Sequence, residues 1–146
     1  MSQFVNSPTK AFTAGGAIGQ YLRVKLTAGK LAIAGLTDKE IGTLEAAAFA
    51  DGDVRAVRLA AAQGTAKMVA AGAISQGAEV FTAAGGQVST SAVTGFAVGI
   101  ALEAAAAAGD LIEVMRHQAP HQVGATFGPS AVTSITVVDG IVTAIA

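Results

Sequence analysis

The chain repeats its own sequence at a separation of 56 to 58 residues, and this tandem duplication constrains the fold more than any other feature. Three short motifs recur in the same order: Gly16-Ala-Ile18 as Gly72-Ala-Ile74, Leu44-Glu-Ala-Ala-Ala48 as Leu102-Glu-Ala-Ala-Ala106, and Gly52-Asp53 as Gly109-Asp110. Alanine-rich composition alone does not place such motifs in order at nearly constant spacing. We therefore interpret residues 9–59 and 65–116 as two copies of one unit. Because a solenoid needs at least three repeats, we expect one pseudo-twofold domain.

Alternation of apolar and polar residues predicts β-strands in each copy. From Tyr21 to Leu26 the alternation predicts one face with Leu22, Val24 and Leu26 and another with Tyr21, Arg23 and Lys25. Turn signals follow this strand and its counterpart at Ala78–Thr82, which predicts a hairpin in each copy. Val54–Leu59 and Leu111–Arg116 each follow Gly-Asp and are predicted to be closing strands. The sequence thus predicts an all-β fold, a compact barrel- or sandwich-like domain.

Two alanine runs, Ala46–Ala48 and Ala104–Ala108, depart from this pattern. Alanine has the highest helix propensity, and Gly109 suits the residue after a helix end. Runs this short do not form stable helices alone. We therefore predict short Ala-rich helical turns packed on the sheets.

Three segments lie outside the duplication. Residues 1–8 are predicted to be an N-terminal arm, 117–131 a linker and 132–146 a C-terminal β-hairpin, in which Asp139-Gly140 is typical of a type I′ turn. An isolated hairpin is marginal in water and its edges invite aggregation. The apolar residues of this hairpin are therefore a predicted oligomer interface: Ile135, Val137, Ile141, Val142 and Ile145.

Composition argues against several classes of partner. Nine basic and ten acidic residues are spread along the chain, so no basic patch for nucleic acid is expected. The most apolar stretch, residues 92–109, is mostly Ala and Gly and contains Glu103, which argues against a membrane span. The chain has no cysteine and begins without the features of a signal peptide, which fits assembly in a reducing cytoplasm.

No motif in the sequence indicates an enzyme, a cofactor or a metal site. His117 and His121 are four residues apart, but Pro120 lies between them and the zinc-protease glutamate is missing. Asp51-Gly-Asp53 is explained by a turn before a strand, because no further oxygen ligands follow it. The glycine-rich segment 14–19 lacks the Gly-Lys-Ser/Thr of a phosphate-binding loop. We therefore expect no catalytic, cofactor-binding or metal-binding residues.

A carbohydrate-binding module is a rival interpretation for a small β-protein. Such sites usually stack sugars on exposed aromatic rings. This chain has no tryptophan and one tyrosine, Tyr21, while its six phenylalanines are expected in the core. The rival is kept as a minor alternative.

Several segments resemble small virion proteins of bacteriophages, the capsid decoration or cement proteins. The segments that carry the resemblance are Ala14-Gly-Gly-Ala-Ile18, Val24-Lys-Leu-Thr-Ala-Gly29, Gly77-Ala-Glu-Val-Phe81 and the stretch from Val98 to Asp110. The resemblance covers about residues 9–116 and is a pattern of turns and small residues, not a catalytic signature.

The resemblance implies a non-enzymatic virion protein, made in the host cytoplasm, that binds the outside of an assembled capsid. It would act as a homotrimer and bridge neighbouring subunits of the major capsid protein. Phe4, Val5 and Phe12 on the otherwise polar N-terminal segment are the predicted capsid contacts; the alternative for this segment is a disordered terminus. A head fibre base or a tail component is the alternative within the virion.

Overall fold

The computed structural model describes residues 7–93, 95–116, 135–138 and 141–145, and the fold is all-β, as predicted. The strands of the first copy are β1 (Thr9–Thr13), β2 (Arg23–Thr27), β3 (Lys30–Ile33), β4 (Gly42–Leu44) and β5 (Val54–Leu59). Those of the second copy are β6 (Thr65–Val69), β7 (Glu79–Thr82), β8 (Val88–Ser89), β9 (Ala97–Ala101) and β10 (Leu111–Arg116). A single 3-10 turn, Ala84–Gly86, precedes β8.

The two copies form two antiparallel five-stranded sheets with the same topology. The strand order is β1-β5-β4-β2-β3 in the first sheet and β6-β10-β9-β7-β8 in the second. In each, the two outermost strands are linked by an isolated parallel bridge, Ala14 with Leu31 and Ala70 with Val88. Each sheet therefore curls around its own interior, and together they make a compact, sandwich-like arrangement.

Each sheet has a separate hydrophobic core built from equivalent positions. The first core consists of Ala14, Ile18, Val24, Leu31, Leu44, Ala48 and Val57. Every one of these has a buried counterpart 56 or 57 residues later, namely Ala70, Ile74, Val80, Val88, Ala101, Ala105 and Val114. The duplication in the sequence is thus a duplication of core positions, because the same curled sheet needs the same side chains inside.

A pair of equivalent glycines permits the close approach of neighbouring strands. A Cβ on Gly42 would lie 1.9 Å from the carbonyl oxygen of Arg58, and one on Gly99 would lie 2.1 Å from that of Met115. Strand backbone occupies this space, so no side chain fits at either position.

The structure corrects the alignment of the two copies by one residue at the Leu-Glu-Ala motif. Gln20 Nε2 donates to the carbonyl of Glu45 at 2.8 Å, and Gln76 Nε2 donates to that of Leu102 at 2.9 Å. Glu45 is therefore equivalent to Leu102, 57 residues later, and not to Glu103. The repeated letters matched, but hydrogen bonding decides the register.

The predicted Ala-rich helical turns are wrong. Both alanine runs form bends, and each contains an isolated antiparallel bridge, Ala48 with Ile18 and Ala105 with Ile74. Backbone N–H and C=O groups of these alanines bond across to another segment, as in Ala48 N–H to Ile18 C=O at 2.9 Å. Tertiary hydrogen bonds outweigh the modest helix propensity of runs this short.

Strands β11 (Ile135–Val138) and β12 (Ile141–Ile145) pair antiparallel as a separate two-stranded sheet, in agreement with the predicted hairpin. The pairing shifts register between Thr136 and Val137. The predicted arm up to residue 6, the linker and the Asp139-Gly140 turn lie outside the described residues. No helix in the described part of the chain has the length and apolarity to span a membrane.

Candidate functional site

The junction between the two sheets is polar and centres on Arg23, a side chain that the alternation predicted on an outer strand face. Arg23 is fully buried because the second copy covers that face. Its Nε donates to the carbonyl of Gln87 at 3.0 Å and its Nη2 to that of Ala83 at 2.6 Å. Its Nη1 pairs with Glu40 Oε2 at 3.2 Å. Burial lowers the pKa of the Arg23 guanidinium, while Glu40 opposes that shift.

Arg116, the last residue of β10, joins the same cluster. Its Nη1 donates to Glu40 Oε1, so one carboxylate is shared by guanidinium groups from both copies. Arg116 Nε and Nη2 are buried and have no hydrogen-bond partner. The cluster carries two positive charges and one negative charge. It couples the two sheets, since removing the carboxylate would leave two buried cations facing each other.

Close packing and a hydroxyl network complete the junction. Thr82 Oγ1 donates to the carbonyl of Leu36 at 2.7 Å and accepts from the N–H of Phe96 at 2.9 Å. A Cβ on Gly86 would lie 3.0–3.1 Å from backbone and side-chain atoms of the first copy, whereas its counterpart Gly29 has nothing within 4 Å. The expected pseudo-twofold relation therefore does not extend to these contacts.

A groove with a volume of about 340 Å³ lies at the junction, and we call it the Tyr21 groove. The first copy contributes Tyr21, Glu45 and Arg58 to its lining, and the second contributes Thr65, Lys67, Glu103 and Glu113. Lys67 Nζ lies 5.7 Å from the centroid of the Tyr21 ring, within cation–π distance.

Tyr21 adopts a backbone conformation that is unfavourable for a bulky residue. Its φ is +61°, in the left-handed region that costs an L-residue about 1–2 kcal/mol. The equivalent residue of the second copy, Gly77, has φ +84° and does not bear this cost. The fold needs a positive φ here, and only the first copy combines it with an aromatic ring.

A second surface feature is an exposed apolar turn in the first copy. Phe49 is 78% exposed and Val54 is 58% exposed. Between them, the Asp53 carboxylate accepts the backbone N–H groups of Phe49 and Ala50 at 2.8 and 3.3 Å. The Phe49 hydrogen bond is the main reason why the pKa of Asp53 lies below its usual range. We call residues 49–54 the Phe49 turn.

The second copy builds the same turn with a smaller side chain. Asp110 accepts the N–H groups of Ala106 and Ala107 at 2.8 and 3.0 Å, and Leu111 follows it, 49% exposed. Ala106 stands where the first copy has Phe49. The aromatic ring is therefore not required by the fold of the turn.

The predicted capsid contacts and interface residues have different standings. Phe12 lies in β1, half-buried against the first core, with Lys10 Nζ 5.8 Å from its ring centroid. Phe4 and Val5 lie outside the described residues, as do His117 and His121. Ile135 and Val137 lie in β11, and Ile141, Val142 and Ile145 in β12, which pair with each other.

Sequence reasoning missed the junction, although the sequence held a signal for it. Comparing the copies position by position isolates residues that the shared scaffold does not require, such as Arg23 against Glu79, Glu40 against Ala97, and Tyr21 against Gly77. Within the described residues, no group of three or more His, Cys, Asp or Glu side chains is placed to hold a metal ion. The arrangement suits recognition of a partner surface or a polar ligand.

Comparison with known proteins assigns no family, because no protein-family model matches the chain and no curated protein matches it.

Proposed function

We propose that this chain is a structural virion protein that binds the outside of an assembled phage capsid and bridges subunits of the major capsid protein. The observation that carries the proposal is the Phe49 turn, an apolar surface feature on a firmly held backbone. The sequence resemblance to decoration proteins supports the same conclusion.

The Phe49 turn has the physical properties of a contact for a protein partner. A large aromatic side chain in water gains free energy when a partner surface covers it, at about 25 cal/mol for each Å² of apolar area buried. Aromatic residues are enriched among the few side chains that dominate binding energy at interfaces. The Asp53 hydrogen bonds hold the backbone in place before binding, so little conformational entropy is lost when the ring docks.

Binding of this kind stabilises a shell by linkage. A protein that binds only the assembled capsid stabilises it by RT ln(1 + [L]/Kd). A homotrimer would present three Phe49 turns at once, and the second and third contacts would form at high effective concentration. Weak contacts by single subunits would then suffice for stable decoration.

The experiment is co-sedimentation of the purified protein with capsids that lack it. We expect Phe49→Ala, which installs the residue found at the equivalent position 106, to weaken binding at least about tenfold, or ~1.4 kcal/mol. Val93→Ala is the matched control, because Val93 is 88% exposed on the other copy. Unchanged capsid binding by Phe49→Ala would contradict the assigned contact. Sedimentation with tails or head fibres, and not with capsids, would favour the other virion roles.

The C-terminal hairpin supplies a test of the proposed homotrimer. We expect a chain that ends at residue 117 to keep its two curled sheets, because both cores lie within residues 14–114. Light scattering should then show a weakened oligomer. If the shortened chain keeps the same oligomeric state and melting temperature, the hairpin is not the subunit interface.

A further inference from the structure

We propose that the Tyr21 groove is a binding site for a short, uncharged saccharide. This site is separate from the Phe49 turn and goes beyond capsid binding. It assigns a ligand class to the one tyrosine of a chain that has no tryptophan.

The first argument is that the polar lining of the groove is not required by the repeated scaffold. Each of its main residues is replaced in the other copy by glycine or an apolar residue. The pairs are Tyr21 with Gly77, Glu45 with Leu102, Arg58 with Met115, Lys67 with Ala11, Glu103 with Ala46, and Glu113 with Ala56. The cross-strand pair Lys67–Glu113 thus takes the place of the pair Ala11–Ala56. Charge has accumulated only where the two copies meet.

The second argument is that these charges do not neutralise one another. Five charged side chains line the groove, yet none forms an ion pair with another. Glu113 accepts from the hydroxyl of Thr65 at 2.5 Å, and Glu103 accepts from the N–H of Glu113 at 3.1 Å. Each of these carboxylates has a second oxygen available as an acceptor, and Lys67 has three N–H donors.

The third argument is chemical complementarity. Three carboxylates beside two cations repel a phosphate, and the described carboxylates are not grouped to bind a metal ion. A saccharide offers many hydroxyl groups, which donate to carboxylates and accept from Lys67 and Arg58. The Tyr21 ring adds an apolar surface for the C–H face of a sugar. The unfavourable φ of Tyr21 is retained at the position that places this ring in the groove.

The test begins with the labelled protein on an array of bacterial and eukaryotic oligosaccharides that includes phosphorylated glycans. The strongest neutral glycan is then titrated into the protein while tyrosine fluorescence is recorded. Because Tyr21 is the sole tyrosine and there is no tryptophan, this signal reports on the groove directly. We expect a saturable fluorescence change and a preference for neutral over phosphorylated glycans.

Three variants install the residue of the other copy, Tyr21→Gly, Lys67→Ala and Glu113→Ala, and the scaffold is known to accept these residues at the equivalent positions. Each should weaken binding by about tenfold or more on the array, since a charged hydrogen bond or the ring is lost. Lys39→Ala, a change at an exposed lysine elsewhere on the first copy, should leave binding unchanged.

Absence of array binding by the unmodified protein overturns the proposal, as does binding that survives all three groove variants. Loss of capsid binding in the same three variants, without any glycan signal, would assign the groove to the capsid instead. Loss of capsid binding in Phe49→Ala alone tests the proposed virion function and leaves the saccharide result unaffected.

Discussion

Gly86→Ala tests whether the contact between the two sheets contributes to stability. Gly86 has φ +76° and is buried, and a Cβ there would lie 3.0 Å from the carbonyl oxygen of Arg23 and 3.1 Å from side-chain atoms of Leu22 and Ile33. The neighbouring Gly85 has φ +69° and is exposed, with nothing within 4 Å of such a Cβ. The two substitutions share the backbone penalty, and only the first creates a clash at the junction.

The magnitudes follow from these two effects. An alanine at positive φ costs about 1–2 kcal/mol, which is the expected loss of unfolding free energy for Gly85→Ala. Crowding against backbone that cannot rotate away adds about 1–3 kcal/mol for Gly86→Ala. The difference between the two variants measures the junction alone.

Urea unfolding followed by far-ultraviolet circular dichroism is the assay. With a slope of about 1–3 kcal/mol/M, the midpoint of Gly86→Ala should fall about 1 M or more below that of Gly85→Ala. Equal midpoints for the two variants would refute the reasoning, because the close approach of the sheets would then carry no energetic weight.

Three further changes test the ion cluster, the strand contact and the capped turn. Glu40→Gln should lower the unfolding free energy by about 3 kcal/mol, because two buried cations lose their shared counter-ion, and a loss below ~1 kcal/mol in urea unfolding would contradict this. Gly42→Ala should abolish or severely weaken folding, since its Cβ would overlap the carbonyl of Arg58, whereas Gly72→Ala, with nothing within 4 Å, should fold normally by circular dichroism. The depressed pKa of Asp53 predicts stabilisation that is present above the unfolded value of about 3.9 and is lost as pH falls through the lower folded value. The melting-temperature advantage over Asp53→Asn should therefore shrink below pH ~4, and a constant difference down to pH 2 would exclude the carboxylate as its source.

The sequence predicted most of the secondary structure because the strand signals are local. Val54–Leu59 and Leu111–Arg116 were predicted with the bounds that the structure gives. Glycine-rich turns between alternating residues left few other arrangements of the backbone. The alanine runs were misjudged for the opposite reason, since helix propensity is a weak local preference and cross-chain hydrogen bonds overrode it.

The candidate sites could not be predicted from the sequence because they depend on which faces of the two copies meet. The alternation predicted Arg23 on an outer strand face, and that position is correct for one sheet in isolation. The second sheet covers this face and buries the side chain completely. Leu26, expected in the core with Val24, is 44% exposed near the end of its strand, where the curled sheet no longer covers it.

The sequence by itself determined that the chain is a duplicated β-protein, because each copy repeats the small set of buried residues and close-contact glycines that one curled sheet requires. Only the tertiary structure decided how the copies are joined. Both copies encode the same backbone, so contacts between them depend on the few positions at which their side chains differ. Those positions are far apart along the chain, and folding alone brings Tyr21, Lys67 and Glu113 to one groove and leaves Phe49 on the surface.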